Sequence, residues 1–255
     1  MSAPVALVTG ASSGIGRALA IRLAREGYSV GLAARREEAL QAVKTEIEAG
    51  GAKARVLVCD VTDPEAVRRA ARVCEKHLGP IDLLVANAGL SEGTDAHRLV
   101  AADVERLMRI NFLGAVYAIE AVLPGMLERG SGHLVGVSSL AGFSALPKTA
   151  AYGASKAALR VFLEGLRLDL KDDSIDVTVV SPGYIRASAT SKYVQKRPFL
   201  VELDEAVERI WGAISARRPS LMFPLPLSAA VWAGQALPRG LYDRLAARMH
   251  RDRRE

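Results

Sequence analysis

The N-terminal segment changes from a strand pattern to a helix pattern across a glycine-rich turn. Val5 to Val8 form a short apolar run, and Ile15, Leu19 and Leu23 then recur at helical spacing. Such a turn aims free backbone N–H groups and the positive end of the helix dipole at one point. Because glycine has no side chain, a pyrophosphate can approach the backbone closely there. The turn therefore predicts a phosphate site with these members: Gly10, Ser12, Ser13, Gly14, Ile15 and Gly16.

Strand-like and helix-like segments alternate along the rest of the chain. Predicted strands lie near 4–9, 28–34, 53–58, 81–86, 133–138, 176–181 and 220–223. Predicted helices lie near 14–26, 37–49, 64–77, 102–128, 153–171 and 204–217. The strands are apolar runs, which is typical of parallel sheets covered on both faces. The pattern predicts an α/β fold: a doubly wound, Rossmann-like parallel sheet of seven strands in the order 3-2-1-4-5-6-7, with helices on both faces.

The organisation of that sheet locates the candidate ligand crevice. No linker, repeat or low-complexity tract divides the sequence, so we expect one domain over residues 1–255. Ligands of such sheets bind outside the carboxyl ends of the strands where the strand order reverses. Gly10 follows the first strand and Asn87 follows the fourth. Both residues should therefore border the crevice.

Composition and charge narrow the classes of function. A chain of 255 residues, 50% of them hydrophobic, can bury a full core. No charged-then-apolar leader precedes the first strand, so we expect no export signal and a cytoplasmic location. Cys59 and Cys74 have neither metal-ligand nor redox spacing, which predicts buried, reduced thiols and no metal site. Residues 239–255 hold six arginines against three acidic residues, or +3 of the total +6. No basic cluster elsewhere suits nucleic acid.

A tyrosine and a lysine form the clearest candidate catalytic pair. Tyr152 and Lys156 are four residues apart, so a helix places both on one face. A nearby ammonium favours the phenolate and lowers the phenol pKa from about 10 toward neutrality. A hydroxyl such as Ser139 could hold a carbonyl or alcohol oxygen within reach of the phenol. The three residues suit proton transfer between a ketone and an alcohol, although a Tyr–Lys pair at this spacing also occurs on many surface helices.

Several further motifs follow in the order typical of one known family. The chain resembles the single-domain short-chain dehydrogenase/reductase family from about residue 4 to residue 185. The resemblance rests on Thr9, Gly10, Gly14, Gly16, Asp60, Asn87, Ala88, Gly89, Asn111, Ser139, Tyr152, Lys156, Pro182 and Gly183. It implies an NAD(P)-dependent oxidoreductase that acts on CH–OH groups. It also implies a homodimer or homotetramer, paired through the helices near 102–128 and 153–171.

The resemblance assigns one role to each member of a catalytic tetrad. Ser139 binds the substrate oxygen and Tyr152 exchanges the proton. Lys156 lowers the Tyr152 pKa and holds the nicotinamide ribose. Asn111 anchors a water that leads protons to Lys156. An asparagine inside a helix could equally be a polar interruption bonded to backbone.

The resemblance also implies the remaining cofactor contacts. Asp60 and Val61 should meet the adenine ring, although an aspartate after a strand is more often a simple cap. The other expected contacts are Asn87, Ala88, Gly89, Tyr152, Lys156, Pro182, Gly183 and Ile185. One position departs from the family pattern, because Ala187 stands where a threonine commonly bonds the nicotinamide carboxamide. A nearby hydroxyl, or the backbone at Ile185, would have to replace that contact.

The end of the second strand predicts which cofactor is preferred. The sequence reads Leu32-Ala33-Ala34-Arg35-Arg36, with alanine where NAD-preferring relatives carry an acidic residue. A guanidinium can pair with a phosphate through two parallel hydrogen bonds. We therefore predict NADP(H), with Arg35 as the main discriminator and Ser12 or Arg36 assisting. The alternative is that both arginines form the solvated start of the next helix.

The C-terminal third carries the predictions on substrate. We expect residues 186–203 to cover the site as a lid, and an apolar, basic extension to follow from about 224 to 255. The stretch 221–238 holds no charged residue. It could cap a lipophilic pocket, form an oligomer interface, or contact a membrane surface peripherally. The predicted substrate is a small lipophilic ketone, aldehyde or alcohol. The alternative function is a non-catalytic NADP(H)-sensing protein on the same fold.

Overall fold

A seven-stranded parallel sheet forms the centre of the molecule. The computed structural model describes residues 3–186 and 199–251. Six strands of the sheet are β1 (Val5–Thr9), β2 (Ser29–Ala34), β3 (Ala54–Val58), β4 (Ile81–Ala86), β5 (Gly132–Val137) and β6 (Ile175–Pro182). Two short strands, β7 (Ile185–Arg186) and β8 (Val201–Glu202), form a separate two-stranded sheet, and β9 (Ser220–Phe223) completes the main sheet. The observed order is β3-β2-β1-β4-β5-β6-β9.

This order confirms the predicted topology. The strand at 220–223 is the predicted seventh strand, and it takes the number nine only because the sequence patterns missed the short β7–β8 pair. Strand β1 pairs in parallel with β2 on one side and β4 on the other. The strand order therefore reverses at β1, and the carboxyl ends of β1 and β4 open the crevice.

Helices cover both faces of the sheet. Within the described residues they are α1 (Gly14–Arg25), α2 (Glu37–Ala49), α3 (Pro64–Leu78), α4 (Ala101–Met108), α5 (Gly114–Arg129), α6 (Ala150–Asp169), α7 (Leu203–Ser215), α8 (Leu225–Ala236) and α9 (Arg239–Arg251). Two clusters of buried apolar side chains, one on each face, form the core. Asp63 caps α3 because its carboxylate accepts hydrogen bonds from the backbone N–H groups of Glu65 (2.9 Å) and Ala66 (3.1 Å).

The long helix predicted near 102–128 is interrupted. A five-residue π-helical turn, Arg109–Leu113, separates α4 from α5. By length and composition, the continuous stretch Ala101–Arg129 could cross a membrane. Its α5 portion buries Ala118, Ile119, Val122 and Met126 in the core beneath the sheet. Core helices of α/β domains meet the same length and composition criteria, so this stretch is read as a core helix.

One predicted boundary in the C-terminal half differs in the structure, and one predicted segment lies outside the described residues. Helix α6 begins at Ala150 instead of 153, so Tyr152 lies in its first turn. The predicted lid falls largely on residues 187–198, which lie outside the described residues. Ala187 lies there too. At the lid's edges, Arg186 forms an ion pair with Glu202, with 2.8 Å between Nε and Oε1.

Candidate active site

The glycine turn is locked against the end of β4. Gly10 has a φ of +70°, which favours glycine. The Thr9 hydroxyl accepts hydrogen bonds from the N–H groups of Asn87 and Ala88, both at 3.1 Å. The Asn87 amide donates to the Thr9 carbonyl at 3.0 Å. A Cβ added to Gly16 would lie 2.4 Å from the Gly10 carbonyl oxygen. The turn is therefore built around positions that tolerate no side chain.

The N-terminus of α1 leaves backbone donors available at this turn. Ser13 is the N-cap residue, but its side chain makes no capping hydrogen bond. The first N–H groups of an α-helix have no partner within the helix. Together with the helix dipole, these donors fit an anion such as a pyrophosphate. Gly10 and Gly14 line the cavity in front of these donors, and the missing side chain at Gly16 lets the turn pack closely behind them.

Two arginines follow β2 at the edge of the same crevice. Arg35 and Arg36 are exposed and line the main cavity. The Arg36 Nη2 atom lies 3.1 Å from Ser12 Oγ and 3.3 Å from the Ser12 carbonyl oxygen. The predicted trio of Ser12, Arg35 and Arg36 therefore meets at one corner, beside the glycine turn.

Ser139 and Tyr152 come together at the carboxyl end of β5. Ser139 is buried at the start of a short 3-10 turn, where its hydroxyl accepts from the Ala141 N–H at 3.2 Å. Burial raises the pKa of Tyr152, and a hydrogen bond with the Ser139 hydroxyl lowers it. The Tyr152–Lys156 spacing predicts that Lys156 lowers this pKa. In the structure burial is the largest influence on it and acts in the opposite direction, because desolvation penalises the phenolate.

Lys156 is 4% exposed, which is unusual for a lysine. Its Nζ donates to the Val137 carbonyl at 2.8 Å. Burial lowers the pKa of the ammonium from 10.5 to about 8. A Cβ added to Gly89 would lie 3.2 Å from the same Nζ, so the Asn87-Ala88-Gly89 segment passes close to the amine. The hydrogen bond to Val137 therefore fixes the amine beside the Asn87-Ala88-Gly89 segment.

Asn111 is fully buried within the π-helical turn. Its Oδ1 accepts from the Leu90 N–H at 2.7 Å, and its Nδ2 donates to the Leu90 carbonyl at 2.9 Å. The same Nδ2 lies 2.9 Å from Ser155 Oγ, which donates to the Tyr152 carbonyl at 2.7 Å. The amide is thus bonded to backbone, as expected if Asn111 is a polar interruption of the helix. It also connects the segment after β4 to the helix of Tyr152.

One cavity of about 890 Å³ brings most of the predicted residues together. The predicted residues along its wall are Gly10, Ser12, Ser13, Gly14, Ile15, Arg35, Arg36, Asp60, Val61, Asn87, Ala88, Gly89, Ser139, Tyr152, Lys156, Pro182, Gly183 and Ile185. Gly16 and Asn111 do not line it and lie behind its wall. Asp60 acts partly as a cap, because its Oδ1 accepts from the Thr62 N–H at 2.9 Å.

The sequence patterns missed part of the cavity wall. The additional residues include Thr62, Leu90, Ser91, Ala102, Glu105, Arg106, Arg109 and Ile110. Most of them lie on or near α4, and only the length of the loop after β4 could have hinted at their position. Arg106 is tied to Glu92, with 2.9 Å between Nη1 and Oε1. Ser155, which joins Asn111 to Tyr152, was also missed because a helical serine carries no distinctive signal.

The cysteines are buried and reduced, as predicted. Burial raises the pKa of the Cys59 thiol to about 11 and that of Cys74 to about 12. A thiol with a raised pKa is a poor nucleophile and a poor metal ligand at neutral pH. Over the described residues, no group of three or more His, Cys, Asp or Glu side chains could hold a metal ion.

Comparison with known proteins shows the family. A family model described as short chain dehydrogenase matches residues 4–198. The chain is 43% identical over 249 residues to an uncharacterized oxidoreductase of Myxococcus xanthus, with 98% of each covered. It is 42% identical over 183 residues to a glycine betaine reductase of Emericella nidulans, covering 72% of this chain but 14% of that protein. The chain belongs to the short-chain dehydrogenase family and is an oxidoreductase.

Solved structures of similar proteins agree with this family assignment. An alcohol dehydrogenase from Thermococcus sibiricus, complexed with 5-hydroxy-NADP, has a TM-score of 0.78 at 25% identity and covers 86% of this chain and 95% of its own. A 7α-hydroxysteroid dehydrogenase, complexed with NADH and 7-oxo glycochenodeoxycholic acid, has a TM-score of 0.80 at 26% identity, with 87% and 93% covered. Both neighbours bind nicotinamide cofactors.

Proposed function

We propose that the protein is an NADP(H)-dependent oxidoreductase that interconverts a lipophilic ketone or aldehyde with its alcohol. The observation that supports this most strongly is the single cavity that Ser139, Tyr152 and Lys156 share with the glycine turn. A proton-transfer group and a phosphate site in one cavity are what a hydride transfer to a carbonyl requires. The cofactor, when bound, supplies the hydride.

Each residue of the tetrad has a physical role in this scheme. Ser139 donates to the substrate oxygen and stabilises the negative charge that develops there. Tyr152 gives its proton to that oxygen during reduction and removes it during oxidation. The pKa of Lys156, at about 8, lets the amine exchange protons near neutral pH. Asn111 holds the backbone at Leu90 and, through Ser155, the backbone at Tyr152.

The preference for NADP(H) rests on the charge at the corner formed by Ser12, Arg35 and Arg36. No acidic residue lies at the end of β2 to repel a 2′-phosphate. Arg35 is exposed on the cavity wall, whereas Arg36 is oriented by Ser12. A charge-assisted guanidinium–phosphate pair contributes about 1.5–3 kcal/mol.

An Arg35→Asp variant tests the cofactor preference. We expect the ratio of kcat/KM for NADPH to kcat/KM for NADH to fall about 10- to 100-fold, because the aspartate repels the 2′-phosphate. The exposed Arg72→Asp substitution on α3 makes the same charge change away from the cavity. An unchanged ratio in the Arg35 variant would assign the preference to another residue.

A lipophilic substrate is supported by the walls beyond the cofactor side. Leu90, Ala102 and Ile110 contribute apolar surface to the cavity on the side of α4. The steroid dehydrogenase among the structural neighbours was complexed with a bile-acid ketone. A screen that follows NADPH oxidation over steroid, fatty-acyl and short polar ketones tests whether the protein reduces a ketone and whether it prefers a lipophilic one. Turnover with none of them, despite NADPH binding, would favour the alternative sensor function.

We also propose a homodimer, because two apolar side chains are exposed on one helix. Val161 and Leu168 lie on α6, and both are exposed in the single chain. They belong to the helix that the family resemblance places at a subunit interface. Light scattering of the purified protein measures its mass directly, and a monomer at micromolar concentration would refute the dimer.

A further inference from the structure

Helix α8 has an apolar surface that the described residues, 3–186 and 199–251, leave exposed. Leu225, Ala229, Trp232 and Ala236 follow one another at helical spacing along one stripe, and all four are exposed. Leu225 is 74% exposed and Trp232 is 57% exposed. No charged residue interrupts the sequence from 221 to 238. A stripe of this kind marks a surface that contacts something apolar.

Helix α9 adds apolar side chains beside positive charge. Leu241 and Leu245 are 45% and 43% exposed, and Arg244 is exposed beside them. The helix Arg239–Arg251 contains four arginines and one aspartate, a formal charge of +3. Exposed apolar residues next to arginines are the pattern of a helix that lies in a membrane interface.

The two helices, here called the C-terminal hairpin, are fixed to the body of the protein. Gln235 Nε2 donates to the Phe143 carbonyl at 2.7 Å, and the Tyr242 hydroxyl donates to the Ala145 carbonyl. The rings of Phe143 and Trp232 lie 6.1 Å apart, inclined at 55°. These contacts attach the hairpin to the loop that follows Ser139, and Trp232 meets Phe143 with one part of its ring while the side chain stays 57% exposed. They hold the exposed stripe in a fixed orientation toward the outside.

We propose that the C-terminal hairpin docks on an anionic membrane surface. The α8 stripe and the two leucines of α9 would enter the boundary between headgroups and acyl chains, where tryptophan is favoured. The arginines of α9 would pair with lipid phosphates. A second copy of the chain is a poorer occupant, because a symmetric contact would bring the two +3 helices together. The inner contacts with Phe143 and Ala145 join this docking face to the loop that follows Ser139.

Vesicle sedimentation of the full-length protein tests the proposal. The probes are phosphatidylcholine vesicles alone and vesicles that also contain phosphatidylglycerol, at low and at high salt. We expect binding to the anionic vesicles at low salt, a marked loss at high salt, and weak binding to phosphatidylcholine. No sedimentation with anionic vesicles at low salt would refute the proposal.

Charge and apolar variants separate docking from a general electrostatic attraction. Arg239→Glu combined with Arg244→Glu should weaken vesicle binding by about tenfold or more. Its control, Arg72→Glu with Lys76→Glu, makes the same charge change at exposed positions of α3. Leu241→Gln with Leu245→Gln should weaken binding severalfold, and its control is the exposed pair Leu99→Gln with Val100→Gln.

The outcomes are distinct. The proposal is supported if both hairpin variants lose binding while both controls keep it and all four keep the thermal unfolding temperature of the parent. If the α3 charge control loses vesicle binding to the same extent, net charge alone explains the effect and the proposal is overturned. If the leucine variant instead converts an oligomer to a monomer in light scattering, the stripe is an interface between copies.

Discussion

The crevice and the C-terminal hairpin hold their side chains in opposite ways. In the crevice, Asn111 and Lys156 are buried and each polar atom has a defined partner on a neighbouring segment. On the hairpin, Leu225 and Trp232 are exposed and the arginines of α9 outnumber its acidic residues. Proton and hydride transfer need positions fixed to within fractions of an ångström, which buried polar contacts supply. A surface that meets a variable partner needs no such fixation.

The largest expected effect is at Tyr152. Removing only the phenolic oxygen in Tyr152→Phe should lower kcat about 10²- to 10⁴-fold, because the proposed proton donor is lost. The affinity for NADPH, measured by fluorescence titration, should change little, since we propose that the glycine turn binds the phosphates. A variant that keeps most of its turnover would show that the crevice uses another proton donor.

One added methyl group should disrupt the close packing of the glycine turn. Gly16→Ala would place a Cβ against the Gly10 carbonyl, and we expect a loss of about 3 kcal/mol of unfolding free energy together with weaker NADPH binding. The matched control is Gly212→Ala in the exposed interior of α7, where no atom lies within 4 Å of the added Cβ. That variant should gain about 0.5–1 kcal/mol, because alanine is the better helix former. Urea unfolding measures both. Equal effects would mean that the turn is not tightly packed.

The buried charge of Lys156 should appear in the pH dependence of stability. Its folded pKa of about 8 lies below its ordinary value of 10.5, so the folded chain carries an unfavourable buried charge at pH 7. Between these two values the unfolded chain binds the proton and the folded chain does not, so the stability of the parent rises with pH. The Lys156→Met variant has no amine at this position, so it should lack this rise of stability with pH.

The test is the difference in unfolding free energy between Lys156→Met and the parent. The stability of the variant relative to the parent should be greatest below pH 8 and should fall by about 3 kcal/mol toward pH 10.5. The exposed Lys53→Met serves as the control for loss of a lysine. A difference that does not vary with pH would contradict the burial of a charged amine.

The smallest expected effect is on the hairpin, and the same substitution in the core provides the contrast. Leu225→Ala should change the unfolding free energy by less than about 0.5 kcal/mol, because the side chain is largely exposed. Leu163→Ala on α6, where the leucine is fully buried, should cost about 2–5 kcal/mol. Similar costs at both positions would show that the α8 stripe is covered in solution.

Local patterns in the sequence were enough to predict the sheet and the centre of the site. The glycine turn, the apolar strands and the Tyr152–Lys156 spacing each depend on residues near one another in the chain. The strand order followed because right-handed crossovers leave few alternatives. Further members of the candidate site, such as Asn111 and Asp60, came from the resemblance to a known family.

The features that were missed depend on tertiary contacts. The π-helical turn at Arg109–Leu113 has no periodicity of its own, and the bonds of Asn111 to Leu90 stabilise it across a loop. The positions of Arg106 and Arg109 on the cavity wall follow from the placement of α4. The raised pKa of Tyr152 reflects burial, which the spacing to Lys156 does not reveal.

Transfer of deuterium from the cofactor is the most direct test of the central claim. NADPH labelled with deuterium at the reactive C4 position would be incubated with the enzyme and an accepted ketone in ordinary water. We predict an alcohol with one deuterium on the carbinol carbon and a hydroxyl proton from water, detected by mass spectrometry, and product formation about 10²- to 10⁴-fold slower with Tyr152→Phe. An alcohol without deuterium, or full labelling by the Tyr152 variant at the parent rate, would contradict it.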